Sequence, residues 1–306
     1  MAREDLEKAR IRLYQKADRK TILLMLSVAM LVLFLFIAFL NYIGSVNISF
    51  RADQRNLDRF LNWLVIAILA FIGPYGFYLA KKQREIKQIE RRLPDFLRDV
   101  AEAGRFGMTL AEAIVVSSSG RYGKLTPEIK KMAAQISWGV PATEALRLFS
   151  QRVKTPMVER VVAIISKSSD AGGDVADVLT MVSHDTKESQ LTSDERRIAM
   201  STYIAVIYIS FLVFLVTIWI LNVTFLPKML EASGALTQSQ TVVSSPLATN
   251  LPEVVYNIKI AFFIATIVHG LGDGILAGVL DNGKIPNGLR HSFIMLVIAL
   301  FGFQVI

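Results

Sequence analysis

Asp273 stands in a stretch otherwise free of carboxylates and apolar enough to cross a bilayer, in the phrase His269-Gly-Leu-Gly-Asp273. A carboxylate so placed could serve hydrolysis by two carboxylates that share a proton beside a water. The second carboxylate is missing. The other long apolar runs hold no Asp or Glu, and Asp281, eight residues on, falls in the polar stretch that follows. His269 and Asp273 are four apart, on one helical face, and can pair inside a bundle. Gly270, Gly274 and Gly278 form a Gly-x-x-x-Gly-x-x-x-Gly ladder, a spacing that lets membrane helices approach closely. Helix packing around a polar pair explains the segment better than catalysis does.

A second set of acidic residues recurs with a period. Gly107-Met-Thr-Leu-Ala-Glu-Ala-Ile114, Gly139-Val-Pro-Ala-Thr-Glu-Ala-Leu146 and Gly172-Gly-Asp-Val-Ala-Asp-Val-Leu179 start 32 and 33 residues apart. A period of this length marks a repeated helix-turn-helix unit. The expected use of each Gly is to end a helix at positive φ, with Glu112, Glu144 or Asp177 in the first turn of the next helix, where the dipole favours it. The alternative, a cation held by the three acids, needs them to converge, and the repeat supplies no reason for that. Thr109 with Glu112 reads as a capping box, and Asp174 with Asp177 imitates it.

Basic doublets form the third set: Lys81-Lys82, Arg91-Arg92, Lys130-Lys131 and Arg196-Arg197. They follow membrane-surface charge, which also attracts anionic lipids, or they mark a docking face for an acidic cytoplasmic partner. Nucleic acid is not expected, because residues 81–199 balance 20 basic residues with 16 acidic ones and no aromatics are interleaved. With no cysteine and three histidines, thiolate chemistry is excluded and a His-rich metal centre is not expected. No phosphate-binding loop, dinucleotide fingerprint or Ser-His-Asp arrangement occurs. No catalytic residue, cofactor or metal is therefore assigned.

The elements that carry these residues follow from hydropathy. Hydrophobic residues make up 53% and charged ones only 20%, while the formal net charge is +8. Five apolar runs read as spans: about 21–40, 61–80, 198–225, 254–279 and 289–305. The first follows a basic N-terminal helix over residues 1–20 and lacks a cleavage site, so it reads as an uncleaved anchor. Gly73-Pro-Tyr-Gly76 is expected to bend the second span. The N-terminal segment thus covers 1–92, a soluble helical module 93–199, and the remaining spans 200–306, with an exposed Ser/Thr-rich loop at 226–252. Of 34 Lys and Arg, 29 lie at the N-terminus, in 81–199 or in 281–291. The positive-inside rule puts these in the cytoplasm and the C-terminus outside. Arg51, Arg55 and Arg59 stand against that pattern.

The module itself reads as all-α, with about six short helices. Leu93, Phe96, Leu97, Val100 and Ala101 follow helical spacing, as do Ile129, Met132, Ala133 and Ile136, and Val158, Val161, Val162 and Ile165. Thr126-Pro127 and Thr155-Pro156 pair an N-cap with a first-turn proline, and Pro141 can open another helix.

Taken in order, Arg91-Arg-Leu-Pro-Asp-Phe-Leu97, Phe106-Gly-Met-Thr-Leu-Ala-Glu-Ala-Ile114, Gly139-Val-Pro-Ala-Thr-Glu-Ala-Leu146 and Ala171-Gly-Gly-Asp-Val175 resemble the type II secretion system F domain. The ending His269-Gly-Leu-Gly-Asp-Gly with Gly288-Leu-Arg-His-Ser292 resembles the archaeal branch, which includes archaellum platforms. The resemblance covers roughly residues 60–306. It implies a non-enzymatic membrane platform that docks a hexameric secretion ATPase and passes its motion to pilin-like subunits. Many such platforms hold two F domains. A single copy here implies a dimer, or a second F-domain protein as in Tad-type pilus systems. Arg91, Arg92, Lys130, Lys131, Arg196 and Arg197 are the docking candidates. Two rival readings are an intramembrane aspartyl protease using Asp273 and a transporter, for which the inverted repeats are not visible.

Overall fold

The computed structural model describes residues 2–45, 48, 55–238 and 246–305. Every described element is helical. The chain divides into two compact units, residues 81–198 and the combination of 1–80 with 199–306, and both boundaries fall inside helices.

The 81–198 unit is a helical bundle. It begins with the tail of α2 (Asn56–Glu90) and continues through α3 (Leu93–Arg105), α4 (Leu110–Ser117), α5 (Thr126–Ser137), α6 (Ala142–Val153), α7 (Pro156–Asp170) and the first half of α8 (Val175–Ile220). Periodic residues of the sequence lie in its core, where Leu93, Phe96, Ile129, Met132 and Ile165 are each at most 2% exposed, and Phe149 joins them. Neighbouring helices run antiparallel. Arg152 of α6 bonds Glu128 of α5, and Ser183 of α8 donates to the Pro94 carbonyl at the start of α3 while Gly104, at its end, faces Ala176.

Alternation sends α3, α5 and α7 one way and α4, α6 and α8 the other. The three repeated phrases therefore all turn at one end of the bundle, which we call the crown. The stretches 81–92, 118–125 and 190–198 gather at the opposite end, the root, where Lys124 meets Glu85 at 3.6 Å and Gln190 donates to the Glu90 carbonyl.

Each phrase is a helix stop followed by a helix start. Gly107, Gly139 and Gly172 have φ of 84°, 89° and 70°. Gly107 donates to the Gly104 carbonyl and Met108 to that of Ala103; the pairs Gly139 to Ile136 and Val140 to Gln135, and Gly172 to Ser169 and Gly173 to Ser168, repeat the pattern. These are Schellman turns, which satisfy the last carbonyls of α3, α5 and α7. A Cβ at any of the three glycines would meet no atom within 4 Å, so positive φ, and not crowding, is what calls for glycine.

Thr155 caps α7 through the Val158 amide. Thr126 does not cap α5 as its sequence suggested. A 3-10 turn over Gly123–Leu125 precedes it, so Thr126 is already helical and its hydroxyl accepts from the Tyr122 amide at 2.8 Å.

In the other unit, α1 (Ala2–Ile43), α2 up to Ala80, α8 from Ala199, α10 (Pro246–Asn282) and α11 (Leu289–Val305) carry the five stretches long and apolar enough to cross a membrane. The chain is a multi-pass, all-α membrane protein. The basic N-terminal segment and the first span form one continuous helix.

The loop expected at 226–252 is helical over most of its length. After a π-helical turn at Leu221–Phe225, α9 runs from Leu226 to Gln238, and α10 begins at Pro246; residues 239–245 lie outside the described residues. Leu226-Pro-Lys-Met-Leu-Glu-Ala232 is rich in strong helix formers, and Leu226 is buried. The Ser and Thr residues that suggested a loop come only after that start.

α2 stays helical through Pro74. Its flanking glycines act in packing on α11: a Cβ on Gly73 would fall 2.8 Å from the Phe293 ring, and one on Gly76 3.2 Å from the Arg290 amide.

Candidate functional site

At the root of the bundle, Arg91 and Arg92 occupy the turn between α2 and α3, both exposed, and Arg92 pairs with Asp95 at 3.2 Å. Arg196 and Arg197 lie on α8 about 9 Å beyond Gln190, whose side chain is bonded to Glu90, so the two doublets share this end. Lys81 and Lys82 are exposed on the α2 tail. Lys130 and Lys131 stand about one turn up α5. Lys130 is exposed, whereas Lys131 is tied to Glu128 at 2.7 Å. Glu128 also accepts from Arg152 at 2.8 Å. Burial alone would raise its pKa, but hydrogen bonds and charge from Lys131 and Arg152 carry it below the ordinary carboxylate range. Arg121 and Lys124 add to the root's charge, and they were not among the sequence candidates because they are separated by Tyr122 and Gly123.

The crown acids serve separate helix starts, through Glu112, Glu144 and, at the third turn, Asp174. Glu112 completes a capping box, accepting from the Thr109 amide at 2.9 Å while its own amide is bonded to the Thr109 hydroxyl. The Thr109 amide, and then its hydroxyl, holds the Glu112 pKa down. Glu144 is held by Arg147 in the first turn of α6, which lowers its pKa and raises that of the guanidinium. At the third turn Asp174 accepts from the amides of Ala176 and Asp177. Among the described residues no group of three His, Asp or Glu side chains is placed to hold a metal ion.

The glycine ladder lies against α11. A Cβ on Gly274 would stand 2.2 Å from the Ser292 amide nitrogen, and one on Gly278 would stand 2.1 Å from the backbone of Gly288. At Gly270 the nearest atoms, the Phe211 ring of α8, are at an ordinary 3.4 Å. Helix α10 therefore meets α11 and the 3-10 turn Ile285–Gly288 before it backbone to backbone, and Ser292 reinforces the contact by donating to the Leu271 carbonyl at 3.0 Å.

His269 Nε2 lies 3.3 Å from Asp273 Oδ2, under the rings of Phe211 and Phe214. Asp281, about 12 Å further along α10, faces Arg290 at 3.9 Å. The two carboxylates are too far apart to share a proton, which the hydrolytic chemistry requires.

Sequence reasoning overlooked a second polar group here, on two helices. His291 is buried, with Arg290 Nη2 at 3.1 Å from its Nε2 and Tyr208 Oη at 2.7 Å from its Nδ1. Because a guanidinium only donates, Nε2 is the acceptor, Nδ1 carries the proton, and Tyr208 accepts it. The cluster ties α8 to the start of α11. A lone histidine five residues past a proline gave no periodic signal for it.

Two of the three arginines that break the charge pattern are described. Arg55 lies over the Tyr256 ring at 4.0 Å, and its amide donates to Asp58; Arg59 is on α2 one turn beyond. Arg51 falls outside the described residues.

With this geometry in view, residues 96–222 match the family model of the type II secretion system (T2SS), protein F. These residues are similar to the type II secretion system F domain. The match runs from α3 through the π turn that follows α8. An uncharacterized protein of Methanocaldococcus jannaschii is 29% identical over 249 residues, 81% of this chain and 38% of its own. Flagella accessory protein J of the same organism is 23% identical over 149 residues, 48% of this chain and 26% of its own. The chain thus spans well under half the length of both relatives. No solved structure matches it significantly.

Proposed function

We propose that this chain is a non-enzymatic platform for a type IV pilus-like filament, a pilus or an archaellum. It would couple a hexameric secretion ATPase in the cytoplasm to pilin-like subunits in the membrane. The observation that carries this reading is an F-domain bundle inserted between the second and third of five membrane-length helices. The likeness to an accessory protein named for flagella supports the filament role. The bundle, with the N-terminus, faces the cytoplasm and the C-terminus faces outside, in keeping with 29 of 34 basic residues.

The root supplies the electrostatic contact. Arg91, Arg92, Arg196 and Arg197, with Lys130 and Lys131 above them, present basic charge that speeds association with an acidic partner or holds anionic lipid. With one F-domain match, the platform pairs with itself or with a second F-domain protein.

The test is co-purification of the full chain with its cognate secretion ATPase, with and without a co-expressed F-domain paralogue. Binding that weakens in high salt and in the Arg91→Glu/Arg92→Glu/Arg196→Glu/Arg197→Glu variant, with membrane insertion retained, supports the proposal. No binding with or without the paralogue overturns it.

A further inference from the structure

At the crown, two of the three Schellman turns carry a large aromatic residue at the helix C-cap, one position before the glycine: Phe106 and Trp138. The third has Ala171 in that place. Phe106 is 84% exposed and Trp138 is 90% exposed. Neither packs on the core, although Phe96 and Phe149 show that the bundle readily buries aromatics. A C-cap needs no aromatic ring, so helix termination does not explain these residues. With helix axes about 8–10 Å apart, the two rings stand within roughly 10–20 Å of each other on one end of the bundle. Met108, 38% exposed, follows the first turn and widens the apolar area.

The charge around the rings is opposite to that of the root. The stretches 102–112, 134–144 and 167–177 contain six acidic and two basic residues; the root stretches 81–92, 118–125 and 190–198 contain ten basic and four acidic. A partner for the crown must therefore offer aromatic-sized apolar pockets rimmed by Lys or Arg. An anionic membrane surface is disfavoured by the acidic rim. So is a second crown, since an isologous contact would set like charges face to face.

We propose that the crown is a second docking surface on the F-domain bundle, with Trp138 and Phe106 as anchors and an acidic rim that selects a basic-rimmed face of the cytoplasmic ATPase. This rests on the platform reading above and gives its two ends different tasks. Exposed basic residues at the root set the rate and salt dependence of association, as rim charges do. The crown's aromatic anchors set the lifetime of the complex, as buried aromatic hot spots do.

The experiment uses the full chain in neutral-lipid nanodiscs and the purified cognate ATPase, with association and dissociation rates measured at low and high salt. Phe106→Ala/Trp138→Ala should raise the dissociation rate at least about tenfold, with little change in association rate and an unchanged melting temperature, because both side chains are exposed. Reversal of Arg91 and Arg92 should slow association in a salt-dependent way and leave dissociation nearly as it was. Wild-type dissociation kinetics in the double alanine variant, with ATPase binding otherwise intact, overturns the crown inference and leaves the platform standing. Failure of the wild-type chain to bind overturns both. One further result also overturns it: loss of self-association in place of ATPase binding.

Discussion

The bundle and the α10–α11 pair are held together in opposite ways. In the bundle, large apolar side chains from several helices fill one interior, and helix ends are closed by capping and Schellman turns. In the α10–α11 pair the contact is backbone on backbone, with Gly274 and Gly278 against Ser292 and Gly288. Most of each span's apolar length lies on the surface of the protein. Water drives side-chain burial in the first case. Hydrocarbon gives no such drive between helices, so close approach and a few hydrogen bonds must do the work in the second.

That contrast can be broken at four places, in descending order of effect. Phe149 is 1% exposed in the bundle core. Phe149→Ala should cost about 3–5 kcal/mol in denaturant unfolding of the bundle and leave the spans inserted. Gly278→Ala places a methyl 2.1 Å from the Gly288 backbone. It should cost roughly 1–3 kcal/mol, read as earlier thermal unfolding in detergent. Gly272→Ala on the same helix meets nothing within 4 Å and should be nearly silent, a contrast that isolates backbone approach from helix propensity. Gly139→Ala tests the crown, where the demand is conformational: at φ of 89° it should cost about 1–2 kcal/mol, with Gly139→Asn less damaging.

Apart from the near-silent Gly272 control, the smallest effect is electrostatic. Glu128 has a depressed pKa, so its contribution is present above the unfolded carboxylate value and disappears as pH falls through its lower folded value. Glu128→Gln should cost roughly 0.3–1 kcal/mol at pH 7 and reduce the loss of stability below about pH 4.5, followed by thermal melts across pH.

The same contrast explains what could be read from the sequence. In the bundle, water makes one face of each helix apolar, so Leu93, Phe96, Ile129 and Val158 announced their burial by spacing. The three glycines announced the turns, since few residues other than Gly take that φ readily. In the spans every face is apolar, and spacing no longer distinguishes a packed face from a lipid-facing one. The ladder at 270, 274 and 278 was visible because glycine is rare enough to count, but its partner surface at Gly288 and Ser292 was not. Nor was the role of Gly73 and Gly76 against α11, where Pro74 invited a reading as a bend. α9 was hidden by the Ser and Thr that follow its strongly helical start. Phe106 and Trp138 could not be picked out, because an aromatic residue one step before a glycine looks the same whether it folds inward or stands in solvent.

The central claim is that the bundle faces the cytoplasm, where a motor could reach it. The chain contains no cysteine, so single introduced thiols report unambiguously. Lys130→Cys on the bundle and Lys228→Cys on α9 should be labelled from opposite sides by a membrane-impermeant maleimide. In intact cells the account predicts labelling at 228 and protection at 130, reversed in inverted vesicles. Labelling at 130 from outside intact cells would contradict it.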